Sequence, residues 1–192
     1  MAEIFKLPYA IAFWVVFFLV FVREGRIVGQ AFGEKSSTQD AGTFRALIVG
    51  SPLAMLAAVA ASFLPWLPLP FPVASLALGT VMVIAGGVLR RYCFNALGKS
   101  FTGMVTVVPD QQIVQSGIYR FIRHPSYTAA FLMYTGLGLA LGSWISVAIL
   151  FFVHSYLYGR RVLAEERALV ATLGEPYREY MTRTKRFVPL II

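Results

Sequence analysis

The sequence predicts an all-α, polytopic integral membrane protein with about five transmembrane helices. Three observations predict it. The 192 residues are 58% hydrophobic and only 14% charged, whereas a soluble domain carries roughly 25% charged residues. The apolar residues gather in long uncharged runs, and about 20 such residues cross a bilayer. The basic residues gather between those runs, in three segments. The abundance of apolar surface excludes a disordered chain. A single cysteine, Cys93, excludes a disulfide scaffold. With only His124 and His154 as further soft ligands, no metal site is expected.

The first run is Leu7 to Val22. A cleaved signal peptide is the competing reading, but Arg23-Glu24-Gly25-Arg26 offers no small-residue cleavage site. A retained first helix is expected. Ala46 to Phe63 is the second run. Pro65, Pro68, Pro70 and Pro72 then end it, because proline removes a helical donor and clashes with the preceding turn. Val73 to Leu89 is the third, closed by Arg90 and Arg91. Phe131 to Leu141 and Ile145 to Val153 flank Gly142-Ser143-Trp144 and read as a hairpin. Its first helix should start near Ser126 and its second should run to about Tyr158.

All but one of the 17 basic residues lie in segments 23–45, 90–125 and the chain after 159. A five-span path puts these segments on one side. By the positive-inside rule that side is cytoplasmic, so the N-terminus is expected outside and the C-terminus inside. Orientation accounts for the charge, and no nucleic-acid partner is expected. Segment 98–125 is more polar and should form a structured loop at the membrane surface. Residues 162–182 alternate apolar and charged positions and carry Gly174 and Pro176. They read as two short amphipathic helices at the interface. The expected organisation is one membrane domain over 1–192. Its first three helices occupy 1–97 and its site-bearing half occupies 98–192.

The candidate site residues cluster at the ends of the last two spans. Pro125 suits a first helical turn, which places His124 where a helix begins, near unpaired backbone N–H groups. Arg123 beside it makes this a plausible anion site. Arg161 and Glu165 are four apart and share a helix face, with Glu166 next in line. A surface ion pair is the plainer reading of that spacing. His154 lies within the fifth span, where ionisable residues are functional candidates by default. A neutral imidazole bonded to a neighbouring helix is the plainer reading there.

Gly117-Ile118-Tyr119-Arg120-Phe121-Ile122-Arg123-His124-Pro125-Ser126-Tyr127 resembles the signature of the isoprenylcysteine carboxyl methyltransferases and related membrane phospholipid methyltransferases. Glu165-Glu166, Leu173-Gly174 with Tyr177 and Tyr180, and Arg186-Phe187-Val188-Pro189 resemble the same family's tail. The resemblance covers roughly residues 100–190. It implies a membrane enzyme using S-adenosylmethionine at its cytoplasmic face. Carried over, it nominates Gln112, Ile113, Val114, Tyr119, His124, Tyr127, Glu165 and Glu166 as cofactor-binding residues. Tyr119 and His124 would stand near the amino-acid end of the cofactor, and the glutamates near its ammonium or ribose hydroxyls. Arg161 is the candidate for orienting the acceptor, since a guanidinium pairs a carboxylate bidentately, and Glu165 would share the reacting site.

The implied reaction is methyl transfer to a hydrophobic or lipid-linked acceptor drawn from the membrane. A carboxylate acceptor is favoured because it is ionised at pH 7 and needs no general base. One competing reading is an NADPH-dependent membrane reductase of the sterol or enone type, with Lys99, Arg120 and Arg123 on the 2′-phosphate. Another is a non-enzymatic membrane protein.

Overall fold

The computed structural model describes residues 5, 6, 8–30, 42–98 and 113–187. Among the described residues six α-helices follow in chain order: α1 (Tyr9–Gln30), α2 (Thr43–Ser62), α3 (Pro72–Leu97), α4 (Pro125–Ala140), α5 (Trp144–Leu173) and α6 (Glu175–Arg183). A 3-10 turn, Gly117–Arg120, precedes α4. Among the described residues extended pairing is limited to two isolated bridges. Each of the five apolar runs therefore forms a helix.

Three of these helices, α2, α3 and α5, are long and apolar enough to cross a membrane. In α1 the apolar stretch is shorter, Ile11–Val22. α4 has 16 residues, about 24 Å at 1.5 Å per residue. Outward faces are apolar: Leu19, Leu56, Val81, Val88 and Phe152 are all exposed. Such a continuous apolar exterior needs lipid rather than water around it. The protein is a multi-pass integral membrane protein.

Small residues let the helices approach closely, as they do where lipid removes the hydrophobic drive between helices. α3 and α4 run antiparallel. Gly79 faces Gly136 and Ala140, and Gly86 faces Ala129 and Met133. A Cβ at Gly136 would come within 2.7 Å of the Gly79 carbonyl oxygen. α2 runs antiparallel to α5. Ser146 Oγ donates to the Ala58 carbonyl at 2.7 Å, Gly50 packs on Leu157, and Arg161 reaches Thr43. Phe13, Phe17, Ala54, Leu137 and Leu150 meet at the centre of the bundle.

The two uncharged connections lie together at one end of the bundle. Leu69 N–H donates to the Gly142 carbonyl at 2.9 Å, and Trp144 N–H to the Leu67 carbonyl at 3.0 Å. At the opposite end the chain entering α4 is strapped by the chain leaving α6. Arg123 N–H donates to the Lys185 carbonyl at 2.9 Å, His124 N–H to that of Arg186 at 3.0 Å, and Lys185 N–H to that of Phe121 at 3.0 Å.

One boundary differs from the sequence reading. α5 does not stop near Tyr158 but continues unbroken to Leu173, so the first expected amphipathic helix is its extension. Nothing between 158 and 173 breaks a helix, and the break comes at Gly174, with φ 62. Pro176 then sits in the first turn of α6. Of the surface loop expected over 98–125, residues 99–112 lie outside the described residues; its final part is the 3-10 turn and the strapped segment.

Candidate active site

The His124 segment forms because Pro125 starts α4 and leaves His124 as its N-cap, with φ −126 and ψ 50. That geometry turns the His124 ring inward, where it is 3% exposed. Its Nε2 stands 3.3 Å from Glu166 Oε1. Arg123 Nε donates to the same oxygen at 2.6 Å. Arg186 Nη2 donates to Glu166 Oε2 at 2.8 Å, and its Nε at 3.1 Å. One buried carboxylate thus joins α5 to the chain before α4 and the chain after α6. Burying such a carboxylate alone would cost several kcal/mol, and two guanidiniums offset that. The pairing holds the Arg186 guanidinium above its usual pKa.

Glu165 points elsewhere. Tyr127 Oη donates to Glu165 Oε2 at 2.7 Å. Arg161 Nε donates to Tyr127 Oη at 3.4 Å, so the phenol bridges the guanidinium and the carboxylate. Arg161 is 4% exposed. Its Nη1 donates to Thr43 Oγ1 at 3.1 Å, and its guanidinium lies 5.7 Å from the Phe44 ring centroid. The Tyr127 ring packs against His124 at 5.7 Å and Tyr158 at 5.3 Å.

Two further phenols adjoin the carboxylates. Burial first, then the nearby Cys93 and Glu165, push the Tyr119 phenol well above its ordinary pKa. Burial, then the charges of Glu165 and Glu166, do the same to Tyr177. Tyr180 Oη donates to the Tyr119 carbonyl at 2.7 Å and ties α6 to the 3-10 turn. Gly117 has φ 59, and a Cβ there would strike the Tyr92 hydroxyl. The positive φ is what the turn that delivers Tyr119 needs glycine for, since the Tyr92 side chain is exposed and can shift.

The structure brings Tyr119, His124, Tyr127, Arg161, Glu165 and Glu166 to the end of the bundle where α2 starts. Ile113 and Val114 are half-buried, irregular chain leading to the 3-10 turn. Gln112 lies outside the described residues. The spacing of Arg161 and Glu165 suggested a direct surface pair; Tyr127 is set between them instead. His154 bonds within its own helix rather than to a neighbour: its Nδ1 stands 2.8 Å from the Leu150 carbonyl. Its ring stacks on Tyr134 at 3.5 Å, and its Nε2 is buried without a partner.

Sequence reasoning missed the roles of Arg123 and Arg186 as partners of Glu166, and of Thr43 as a partner of Arg161. Arg186 lies in the tail motif, but a basic residue there was already accounted for by membrane orientation. Nothing in the sequence around Thr43 marks it.

The model of the "Isoprenylcysteine carboxyl methyltransferase (ICMT) family" matches residues 77–171. That match begins within α3, earlier than the motifs suggested, takes in Glu165-Glu166 and ends before Leu173-Gly174 and the rest of the tail. Protein-S-isoprenylcysteine O-methyltransferase of Schizosaccharomyces pombe is 32% identical over 108 residues, covering 55% of this chain and 46% of that protein. Protein-S-isoprenylcysteine O-methyltransferase B of Arabidopsis thaliana is 30% identical over 115 residues, covering 59% of this chain and 58% of that protein. This chain's matched part spans about half the length of these relatives. A solved structure titled as the eukaryotic intramembrane Ras methyltransferase ICMT shares the fold, with a TM-score of 0.65 at 22% identity, covering 74% of this chain and 53% of that one. Through residues 77–171 the chain is similar to the isoprenylcysteine carboxyl methyltransferase family, and its helical membrane fold is similar to that of the solved methyltransferase.

Proposed function

We propose that this protein is an S-adenosylmethionine-dependent methyltransferase that esterifies the carboxylate of a lipid-linked acceptor, of the isoprenylcysteine type. The observation that carries the reading is Arg161. A guanidinium buried within the end of an apolar bundle, one hydroxyl away from Glu165, is the group that would draw an anionic head from a lipid-dissolved molecule. The relationship over residues 77–171 supports the same reaction class.

The residues fit the cofactor by their chemistry. Glu165 keeps one carboxylate oxygen beyond the one Tyr127 bonds, which suits an ammonium or a ribose diol. Tyr119, Tyr127 and Tyr177 offer aromatic surface, and Ile113 and Val114 offer apolar chain beside a polar backbone. Glu166 does not fit a direct role, since both its oxygens are taken by Arg123, His124 and Arg186; it positions His124 and the strap. S-adenosylmethionine supplies an electrophilic sulfonium methyl when bound. Arg161 would orient the acceptor carboxylate, Tyr127 would keep Arg161 and Glu165 in register, and the buried rings would exclude water. Holding the reactants in near-attack geometry is worth roughly 7–11 kcal/mol of barrier. No residue needs to remove a proton from an ionised carboxylate.

The reductase reading loses one of its supports. Arg123 is committed to Glu166 and to the Thr184 carbonyl, so it is not available to a 2′-phosphate. Segregation of the basic segments from the uncharged connections supports an N-terminus outside and a cytoplasmic site.

The test is isothermal titration of the detergent-purified protein with S-adenosylhomocysteine and with NADPH. It is followed by labelled methyl transfer to N-acetyl-S-farnesylcysteine. S-adenosylhomocysteine should bind, and His124→Ala should weaken it at least tenfold while the fold persists. Binding of NADPH alone would overturn the reading.

A further inference from the structure

We infer that Thr43 and Phe44, in the first turn of α2, are positioning residues of the site, holding the guanidinium of Arg161 in place for the acceptor. The inference deepens the proposed function and rests on it. These residues precede residue 77, where the family match begins, and belong to a helix without any sequence signature.

The geometry is specific. Thr43 Oγ1 accepts from Arg161 Nη1 at 3.1 Å. Phe44 presents its ring to the same guanidinium at 5.7 Å, within reach of a cation–π attraction. Tyr127 Oη accepts from Nε on another side at 3.4 Å. The guanidinium is therefore fixed in position and plane by α2 and α4, while its own backbone belongs to α5. Thr43 and Phe44 are themselves buried, at 5% and 7% exposure, so their side chains serve the interior and not the lipid. The antiparallel α2–α5 packing delivers them there. With Ser146 bonded to Ala58 and Gly50 on Leu157, the register brings Thr43 to Arg161.

A guanidinium can pair a carboxylate bidentately only if its plane is aimed at it. A flexible arginine would have to be ordered by each acceptor. The clamp removes that step, so its loss should appear in the acceptor terms and not in cofactor affinity.

The experiment uses the full chain in detergent, with labelled S-adenosylmethionine and N-acetyl-S-farnesylcysteine. Kinetics are measured for wild type, Thr43→Val, Thr43→Ser, Phe44→Leu and Arg161→Ala. Thr43→Val keeps the shape and removes the acceptor oxygen. It should lower kcat/KM for the acceptor about tenfold, the effect of losing one hydrogen bond to a charged group. The affinity for S-adenosylhomocysteine should stay within twofold, and Thr43→Ser should recover most of the loss. Phe44→Leu should act in the same direction. Equal loss in Thr43→Ser and Thr43→Val, or loss of S-adenosylhomocysteine binding in parallel with activity, would overturn the clamp and leave a packing role. Unchanged kcat/KM in Thr43→Val while Arg161→Ala is inactive would also overturn it. Full activity in Arg161→Ala, or no transfer by the wild type, would instead overturn the proposed function, and the clamp with it.

Discussion

Tyr127 on α4 and Glu165 on α5 are joined by a phenol-to-carboxylate hydrogen bond of 2.7 Å. The same phenol oxygen accepts from Arg161. One hydroxyl therefore sets the distance between a buried cation and a carboxylate that the α-helix alone would leave free to pair or part. Tyr127→Phe removes that hydroxyl and keeps the ring against His124 and Tyr158. We expect a loss of about 1.5–3 kcal/mol in stability, typical of a removed hydrogen bond to a charged group. Methyl transfer to a farnesylcysteine acceptor should fall at least tenfold. Thermal unfolding in detergent and initial-rate kinetics measure the two effects.

Glu166 should matter more for the fold than for the reaction. Glu166→Gln leaves Arg123, 9% exposed at its side chain, without its counter-ion. Breaking a fully buried pair costs roughly 3–5 kcal/mol. The partial exposure of Arg186 moves the expectation to the lower end, about 3 kcal/mol. The strap formed by residues 184–187 should loosen first, read as faster amide exchange at Arg123 and His124, whose N–H groups it holds. Normal protection in the variant would contradict the linkage.

Tyr180 carries a pH dependence. Burial pushes its phenol up to about 12, against the lowering influence of Arg123 and of its bond with Thr184. In the unfolded chain the phenol titrates near 10. Between those values the unfolded state releases a proton that the folded state keeps. Stability from this group is therefore complete below about pH 10 and lost as pH rises towards 12. Tyr180→Phe should flatten that part of the stability profile. It should also lower stability at neutral pH, because it removes the bond to the Tyr119 carbonyl. Unfolding followed from pH 8 to 12 in both proteins tests it.

Gly136 sets the distance between α3 and α4. A Cβ there would meet the Gly79 carbonyl at 2.7 Å and Met82 Cβ at 2.8 Å. Both belong to a packed helix and have little room to move. Gly136→Ala should cost about 1–3 kcal/mol, the range for overpacking, and Gly136→Leu should prevent folding. Unfolding midpoints and monodispersity in detergent report both.

Much of the architecture was legible because it depends on local chemistry. Uncharged runs, the prolines between Pro65 and Pro72, and Gly142-Ser143-Trp144 are each read from a few neighbouring residues. They mark the helices that form. Pro125 likewise marked the start of α4 and the place of His124. The end of α5 lies beyond the Tyr158 expected from the apolar run, because the helix continues through the charged residues 160–167. Charge ends an apolar surface, whereas the backbone continues until a residue such as Gly174 stops it. Glu165 and Glu166 were equivalent in the sequence. They became different only when Tyr127 approached one and Arg123, His124 and Arg186 surrounded the other.

The sequence by itself determined a helical membrane protein, the positions of its helices, the segregation of its basic segments and its likeness to a methyltransferase family. Those properties follow from solvent preference and backbone propensity, which act over short stretches of chain. Tertiary structure alone decided which cation meets which carboxylate, that a tyrosine stands between Arg161 and Glu165, and that Thr43 touches Arg161 across 118 residues of chain. A hydrogen bond is a condition on distance and angle in space, and only the packed helices supply those.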